Sequence, residues 1–217
     1  MCFSEKISWS TLILGTIFNI FSIFLLSCIQ NNKRVIVPIM LIIGWQYSLL
    51  MQIPDALAWK DLKSKFPGKL AFCLNITQPI VMIIITAVML HKLDRNLKLL
   101  IPLLFLALFY TVMVIKKSSQ VNFDLTPEIS CNNLSYRWWN GGMITIFYYV
   151  IIIICAFLIP SIPFIFLSLF LFVTTVIVSN IVVRKGCNIG SLWCWSVSLS
   201  GFITGIVGLI MNKLKIL

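Results

Sequence analysis

The chain has 217 residues, of which 60% are hydrophobic and only 11% charged, and its mean hydropathy is +1.03. Soluble globular domains carry about 25% charged residues, so this composition excludes a water-soluble globular fold and is typical of a multi-pass membrane protein. The 17 Lys and Arg exceed the 6 Asp and Glu, for a net charge of +11, but they stand in short groups between apolar runs. That placement favours lipid headgroups at helix ends over nucleic acid as the partner of the basic residues.

Seven apolar runs are long enough to cross a hydrocarbon layer of roughly 30 Å as helices, which takes about 20 residues each. The fifth and sixth form one uncharged stretch, which Pro160-Ser161-Ile162-Pro163 divides because proline removes a backbone donor and restricts the preceding residue. We therefore predict an all-α fold: a polytopic transmembrane bundle of seven spans, integral to the membrane, in a single domain of residues 1–217. The predicted spans are approximately 8–30, 35–58, 70–91, 98–115, 141–159, 163–183 and 187–211.

An odd number of crossings puts the N-terminus and the C-terminus on opposite sides of the membrane. We call the N-terminal side face A and the opposite side face B. Face A then holds the N-terminus and the connections 59–69, 116–140 and 184–187. Face B holds the connections 31–34 and 92–97, the turn 160–163 and the C-terminus.

Two signals for the orientation of the chain disagree. Face A carries ten of the Lys and Arg and face B seven, which leans towards a cytoplasmic face A by the positive-inside rule. Five of the seven cysteines and the glycosylation sequon at Asn133-Leu134-Ser135 also map to face A, which suits a lumenal or extracellular compartment. The orientation therefore stays open.

Polar residues within apolar spans point to a site, because they are costly in lipid unless they are paired. In the second span, polar and aromatic residues recur at spacings of three and four and so share one stripe of a helix. This stripe comprises Trp45, Ser48, Gln52, Asp55 and Trp59, and Asp55, directly after Pro54, is the only carboxylate within a predicted span. The third span adds Asn75 and Gln78, and the seventh begins on the same face.

We predict a ligand pocket open to face A where these segments meet. A competing interpretation is that Gln52 and Asp55 form hydrogen bonds between helices that only fix their register. The tryptophans of the face A segments are more typical of an interfacial aromatic belt than of a lid that stacks on a ligand. They are Trp138, Trp139, Trp193 and Trp195. The predicted pocket residues are Gln52, Asp55, Trp59, Asn75, Gln78, Ser191, Trp193 and Cys194.

The seventh span also carries a stripe of small residues that includes Ser198, Gly201, Gly205 and Gly208. A Gly-x-x-x-Gly pair lets the backbone of a neighbouring helix approach closely. We predict that this stripe packs against another helix.

The cysteines offer a candidate disulfide, while the cysteines and the histidine together do not predict a metal site. Cys73 and Cys131 are candidates for a bridge between the third span and the face A loop that follows it. No metal site is predicted, because the single histidine, His91, lies on face B and no cysteines form a Cys-x-x-Cys pair. No cofactor is predicted either: Lys213 and Lys215 lie beyond the last span, where they could not form a retinal Schiff base.

Five motifs together resemble a family of multi-pass membrane proteins of large DNA viruses, and proteins of bacteria that begin with Met-Cys-Phe-Ser-Ala look like distant relatives. The motifs are Met1-Cys2-Phe3-Ser4, Met51-Gln52-x-x-Asp55-x-x-x-Trp59, Asn75-x-x-Gln78-Pro79, Cys131-x-x-Leu134-x-Tyr136-x-Trp138 and Gly190-Ser191-Leu192-Trp193-Cys194-Trp195. The resemblance runs from the first residue to about residue 200. It implies a seven-helix viral or host membrane protein with a shared site on face A, but no particular reaction, ligand or partner.

Two classes of function remain. The first is a non-enzymatic membrane protein that binds or moves a small polar or lipid-like molecule through the face A pocket, or that serves as a structural component of viral or host membranes. The second is a membrane-embedded hydrolase or thiol redox enzyme with Asp55 as general acid or base and Cys194 or Cys2 as the thiol. A nucleophilic cysteine normally has a base such as histidine beside it, and face A offers none, which favours the first class. Whether any reaction is catalysed, and by which residues, stays open, as does the oligomeric state.

Overall fold

The computed structural model describes residues 4–29, 32–118, 123, 125–128, 133–136, 143–182 and 190–217, some of them by their backbone alone. The described chain forms a helical bundle, which confirms the predicted fold class. Its helices are α1 (Glu5–Ser27), α2 (Ile36–Leu49), α3 (Gln52–Lys60), α4 (Phe66–Lys92), α5 (Ile101–Ser118), α6 (Met143–Phe157), α7 (Ile162–Val182) and α8 (Gly190–Lys213). Short 3-10 turns, Lys33–Val35 and Leu97–Leu100, lead into α2 and α5, and an antiparallel hairpin of β1 (Leu125–Glu128) and β2 (Asn133–Tyr136) lies between α5 and α6.

Five helical segments of the described chain are long and apolar enough to cross a membrane. Two further apolar helices, Ile146–Phe157 and Ile162–Thr174, are shorter within the described part of the chain. Large apolar side chains cover the outside of the bundle, which is what a hydrocarbon solvent requires. Examples are Ile13, Ile17 and Phe24 on α1 and Phe105 and Phe109 on α5. The protein is therefore embedded in a membrane as a bundle of helices.

The first helix begins three residues earlier than its apolar run predicts. The Ser4 side chain accepts a hydrogen bond from the Ile7 backbone N–H at 3.2 Å, and Glu5 stands in the first turn. A serine cap and an acidic first turn both stabilise a helix N-terminus, so the polar residues before the apolar run join α1.

The second predicted span is one rod broken at Leu50 and Met51, between α2 and α3. Proline lacks the N–H that would bond to the carbonyl four residues back, and its ring clashes with that carbonyl. For Pro54 this is the Leu50 carbonyl, which instead accepts from the Ile53 N–H at 3.0 Å. The ladder of backbone hydrogen bonds is therefore interrupted at this point. Ser48 before the break contacts α4, and Gln52 after it contacts α1.

Contacts between neighbouring helices show that their directions alternate along the chain. The α1 residues Gly15 and Leu26 lie against Ser198 and Gly208 of α8, so these two helices are parallel. Antiparallel pairing of α1 with the α2–α3 rod follows from two hydrogen-bonded pairs, Thr11 with Gln52 and Asn19 with Gln46. By the same reasoning α4 is antiparallel to α2, through Gly44 with Met82 and Ser48 with Gln78. It is parallel to α6, through Gln78 with Tyr148 and Thr86 with Cys155. The starts of α1, α4, α6 and α8 and the end of α3 thus lie at one end of the bundle, as parity predicts for face A.

The small-residue stripe of α8 packs against α1, which confirms the prediction for it. Asn19 and Ser22 of α1 fill the space that a side chain on Gly201 or Gly205 would occupy, and Gly208 lies against Leu26 and Pro38. The absent Cβ atoms let the two helix backbones approach closely.

Phe123, which precedes the hairpin in sequence, lies against the start of α4. The Phe123 ring meets that of Phe72 edge-on with centroids 5.5 Å apart, and a Cβ on Gly68 would lie 2.6 Å from the Phe123 carbonyl oxygen. Glycine at position 68 is therefore required by this close approach of the Phe123 backbone.

Candidate functional site

Two of the predicted pocket residues, Gln52 and Asp55, are buried one turn apart on α3, with 1% and 3% of their surface exposed. The Thr11 hydroxyl of α1 lies 3.2 Å from the Gln52 carboxamide oxygen. Trp59, one turn further along α3, is half-buried. The face A end of α3 therefore directs its polar side into the bundle, towards α1.

Gln78 of α4 belongs to a different group from Gln52 and Asp55. Gln78 is buried and bonds to Ser48 of α2 and Tyr148 of α6, whereas Asn75, nearer face A, is half-buried. The break at Leu50 and Met51 separates Ser48, which faces α4, from Gln52, which faces α1. The structure therefore brings Gln52 together with Asp55 and leaves Gln78 in another interface.

The remaining predicted residues cannot be placed in either group. Ser191, Trp193 and Cys194 belong to the first turns of α8 by their backbone, but their side chains lie outside the described part of the structure. Cys73 is exposed on α4, and its proposed partner Cys131 also lies outside the described residues. The single face A pocket and the disulfide both stay predictions.

Ser48, Gln78 and Tyr148 form a buried chain of hydrogen bonds, here called the polar triad, that joins α2, α4 and α6. The Ser48 hydroxyl donates to the Gly44 carbonyl at 3.2 Å, and Ser48 Oγ accepts from Gln78 Nε2. The Tyr148 hydroxyl donates to Gln78 Oε1 at 2.6 Å. Since Ser48 and Tyr148 each have only one hydroxyl hydrogen, these bonds determine which end of the Gln78 carboxamide is nitrogen.

A partly open cavity of about 60 Å³ lies beside the polar triad, lined by residues of α2, α4, α6 and α7. About 10 to 15 Å³ of such space holds one water molecule, so this cavity admits a small chemical group. The lining is mainly aliphatic and aromatic, and all four helices contribute to it. The lining includes Trp45, Met82, Ile152, Ala156, Ser168 and Phe172, together with Ser48, Gln78 and Tyr148 of the triad.

A second polar network ties α1 to α2 without reaching the cavity. Asn19 Nδ2 donates to Gln46 Oε1 at 2.9 Å, and Gln46 Nε2 donates to Thr16 Oγ1 at 3.0 Å. The Asn19 carboxamide oxygen is buried against Gly201, with no hydrogen-bond partner in the described structure. This network fixes the register of α1 against α2. It is an interhelical hydrogen-bond network of the kind that the competing interpretation assigns to Gln52 and Asp55.

Sequence reasoning missed Tyr148, which bonds to Gln78, and Thr11, which bonds to Gln52. Tyr148 stands in an otherwise apolar run, where a tyrosine is ordinarily assigned to the aromatic belt or the core. The available signal was its polar tip near the middle of a span, far from either interface. The described side chains contain no group of three or more His, Cys, Asp or Glu that could hold a metal ion.

Comparison with protein-family models, with curated proteins and with solved structures found no match to this chain. The resemblance to the viral family therefore stays a prediction, and the function has to be argued from the geometry.

Proposed function

We propose that this chain is a multi-pass membrane protein that binds a small lipid-like molecule inside its helix bundle, in the cavity between α2, α4, α6 and α7. The observation that carries the proposal is the cavity itself, with the polar triad on one side and aliphatic and aromatic side chains elsewhere. Ligand sites in proteins are typically concave and mostly apolar, with a few fixed polar groups that orient the ligand.

The depth of the cavity favours a lipid-like ligand over a water-soluble one. Ser48 and Gln78 lie close to the midpoints of their membrane-spanning segments, Lys33–Lys60 and Phe66–Lys92. A polar solute would lose its hydration there, at a cost of several kcal/mol for each unpaired group. An amphiphile that already resides in the bilayer avoids most of that cost.

The buried residues Gln52 and Asp55, near face A, lie outside this ligand site. Gln52 and Asp55 lie on the far side of the α2–α3 break, and the cavity does not include them. Transport through a face A pocket and thiol enzyme chemistry both need side chains outside the described residues, so they stay predictions. The motif resemblance favours a viral or host membrane as the place where the ligand is met.

The proposal is tested by identifying what the purified protein carries. The full chain is extracted in mild detergent, and the molecules released on denaturation are identified by mass spectrometry. We expect one class of lipid at close to one molecule per chain. Ser168→Leu, which fills the cavity, should lower that occupancy several-fold.

The same substitution at Ser27, exposed at the end of α1, provides the matched control. Ser27→Leu adds the same volume outside the cavity and should leave occupancy unchanged. Equal occupancy in Ser168→Leu and the unaltered chain, or no lipid above the detergent background, would contradict the proposed function.

A further inference from the structure

We infer that the ligand of this cavity is an uncharged amphiphile whose polar group accepts a hydrogen bond, such as an ester, ketone, ether or hydroxyl oxygen on a hydrocarbon chain. The inference rests on the proposed function and names the class of ligand. It follows from the number of hydrogens on Gln78, from the charge of the cavity lining and from the shape of the space.

Gln78 has one more amide hydrogen than the polar triad uses. A carboxamide NH₂ group donates two hydrogen bonds and its oxygen accepts two. Ser48 takes one Nε2 hydrogen, and the Tyr148 hydroxyl donates to Oε1. Since the other two members of the triad hold the carboxamide in this orientation, the second Nε2 hydrogen is the group that Gln78 offers to a ligand in the cavity it lines.

The lining excludes a charged headgroup. Every described residue around the cavity is uncharged, so neither a carboxylate nor an ammonium group would find a counter-ion there. Burying an unpaired charge costs far more than burying a neutral polar group. A plain hydrocarbon fits the apolar lining but leaves the amide hydrogen unsatisfied, which carries its own penalty.

The apolar side of the cavity fits the hydrocarbon part of such a molecule. Met82, Ile152 and Phe172 face the same space as Gln78. A volume of about 60 Å³ suits a slim head and the first carbons of a chain rather than a fused-ring body. The polar group of the ligand would thus lie beside Gln78, with its chain among these side chains.

Three photoreactive probes test the inference on the full chain in detergent. They share one alkyl chain with a diazirine and differ only in the head: a methyl ester, a carboxylate, or hydrogen. We expect the ester to label α2, α4, α6 or α7 most strongly, with the carboxylate and the hydrocarbon several-fold weaker. Gln78→Met keeps the side-chain length and removes the donor, so it should reduce ester labelling by about three- to tenfold, the effect of one hydrogen bond. Hydrocarbon labelling should not fall, because the variant no longer has an amide hydrogen that a hydrocarbon leaves unsatisfied.

Gln46→Met makes the same change in the α1–α2 network, outside the cavity, and should leave ester labelling unchanged. The comparison of probes on the unaltered chain needs no variant, so it decides the matter even where Gln78→Met fails to fold. Equal labelling by ester and hydrocarbon, preference for the carboxylate, or full ester labelling of folded Gln78→Met would overturn the headgroup inference and leave lipid binding standing. Labelling by no probe would indicate a cavity that holds only water, and labelling that Ser168→Leu does not reduce would show that the probe binds outside the cavity. Either result would overturn the proposed function as well.

Discussion

Two buried tyrosines, Tyr148 and Tyr110, differ in whether the described structure provides a hydrogen-bond partner for the hydroxyl group. The Tyr148 hydroxyl donates to Gln78, whereas the Tyr110 hydroxyl on α5 is buried with no hydrogen-bond partner among the described residues. Both rings lie in the same apolar cluster between α4, α5 and α6. The surroundings of the two rings are therefore alike, and the difference lies in the partner.

We expect Tyr148→Phe and Tyr110→Phe to have opposite effects on stability. Tyr148→Phe leaves the Gln78 oxygen without its donor and should lower the free energy of unfolding by about 1 to 3 kcal/mol. Tyr110→Phe removes a hydroxyl that makes no bond, so it should be neutral or stabilising by up to about 1 kcal/mol. Thermal unfolding of each variant in the same detergent measures the difference.

Because both variants remove one oxygen atom from one ring, each serves as the control for the other. Equal losses of stability would show that the Tyr148 bond contributes nothing beyond ring packing. That result would contradict the inference that the polar triad holds Gln78 in place.

At the scale of elements, α1 and α8 pack closely because the glycines on the contact face of α8 have no Cβ atom. The sequence predicted the contact face of α8, because small residues at spacings of three and four lie on one side of a helix. It could not predict that α1 would be the partner, or that Asn19 would lie over Gly201, because those facts depend on the relative position of distant segments. Local periodicity gives the face of a helix, and only packing gives its neighbour.

Gly201→Ala should therefore be destabilising in spite of alanine's higher helix propensity. Its Cβ would collide with the Asn19 carboxamide, which Gln46 holds by a hydrogen bond. Overpacking of this kind costs about 1 to 3 kcal/mol, more than the roughly 1 kcal/mol that alanine gains over glycine in a helix. A lower thermal midpoint in detergent is the expected result.

Gly44→Ala is the matched control. Its Cβ would lie 3.1 Å from Met82 Sδ and 3.3 Å from Ile85 Cδ1, both at the ends of flexible side chains that can yield. The thermal midpoint should change little. In an Asn19→Ala background the cost of Gly201→Ala should shrink, since the colliding group is gone, and an undiminished cost would show that the collision with Asn19 is not its cause.

For the molecule as a whole, the sequence predicted the helices well and the interior less well. Apolar length is a local property, so each of the seven predicted runs forms helix in the described chain. Pro54 signalled a kink, but not that Ser48 and Gln52 would turn to different helices. The polar tip of Tyr148 near the middle of a span was a local signal, but its partner depends on the register between α4 and α6. The position of a cavity follows from such registers and lies beyond what periodicity can supply.

The alternating helix directions lead to a topology that labelling can test. With native cysteines replaced by alanine, Glu5→Cys and Lys63→Cys should react with a membrane-impermeant maleimide from one side of sealed vesicles. Lys98→Cys and Lys213→Cys should react only from the other side. All four side chains are exposed near the ends of helices, so a difference in reactivity reports the side of the membrane rather than burial.

The pair Glu5 and Lys213 is the decisive one, because α1 and α8 run parallel and the two residues lie at opposite ends of that pair. If both react from the same side, the number of crossings is even and the parallel packing of α1 on α8 is wrong. If Lys63 alone reacts from the side opposite to the other three, the fault lies in the α2–α3 rod, whose break would then turn the chain back before it crosses. The labelling pattern thus distinguishes an error in the whole bundle from an error in one element.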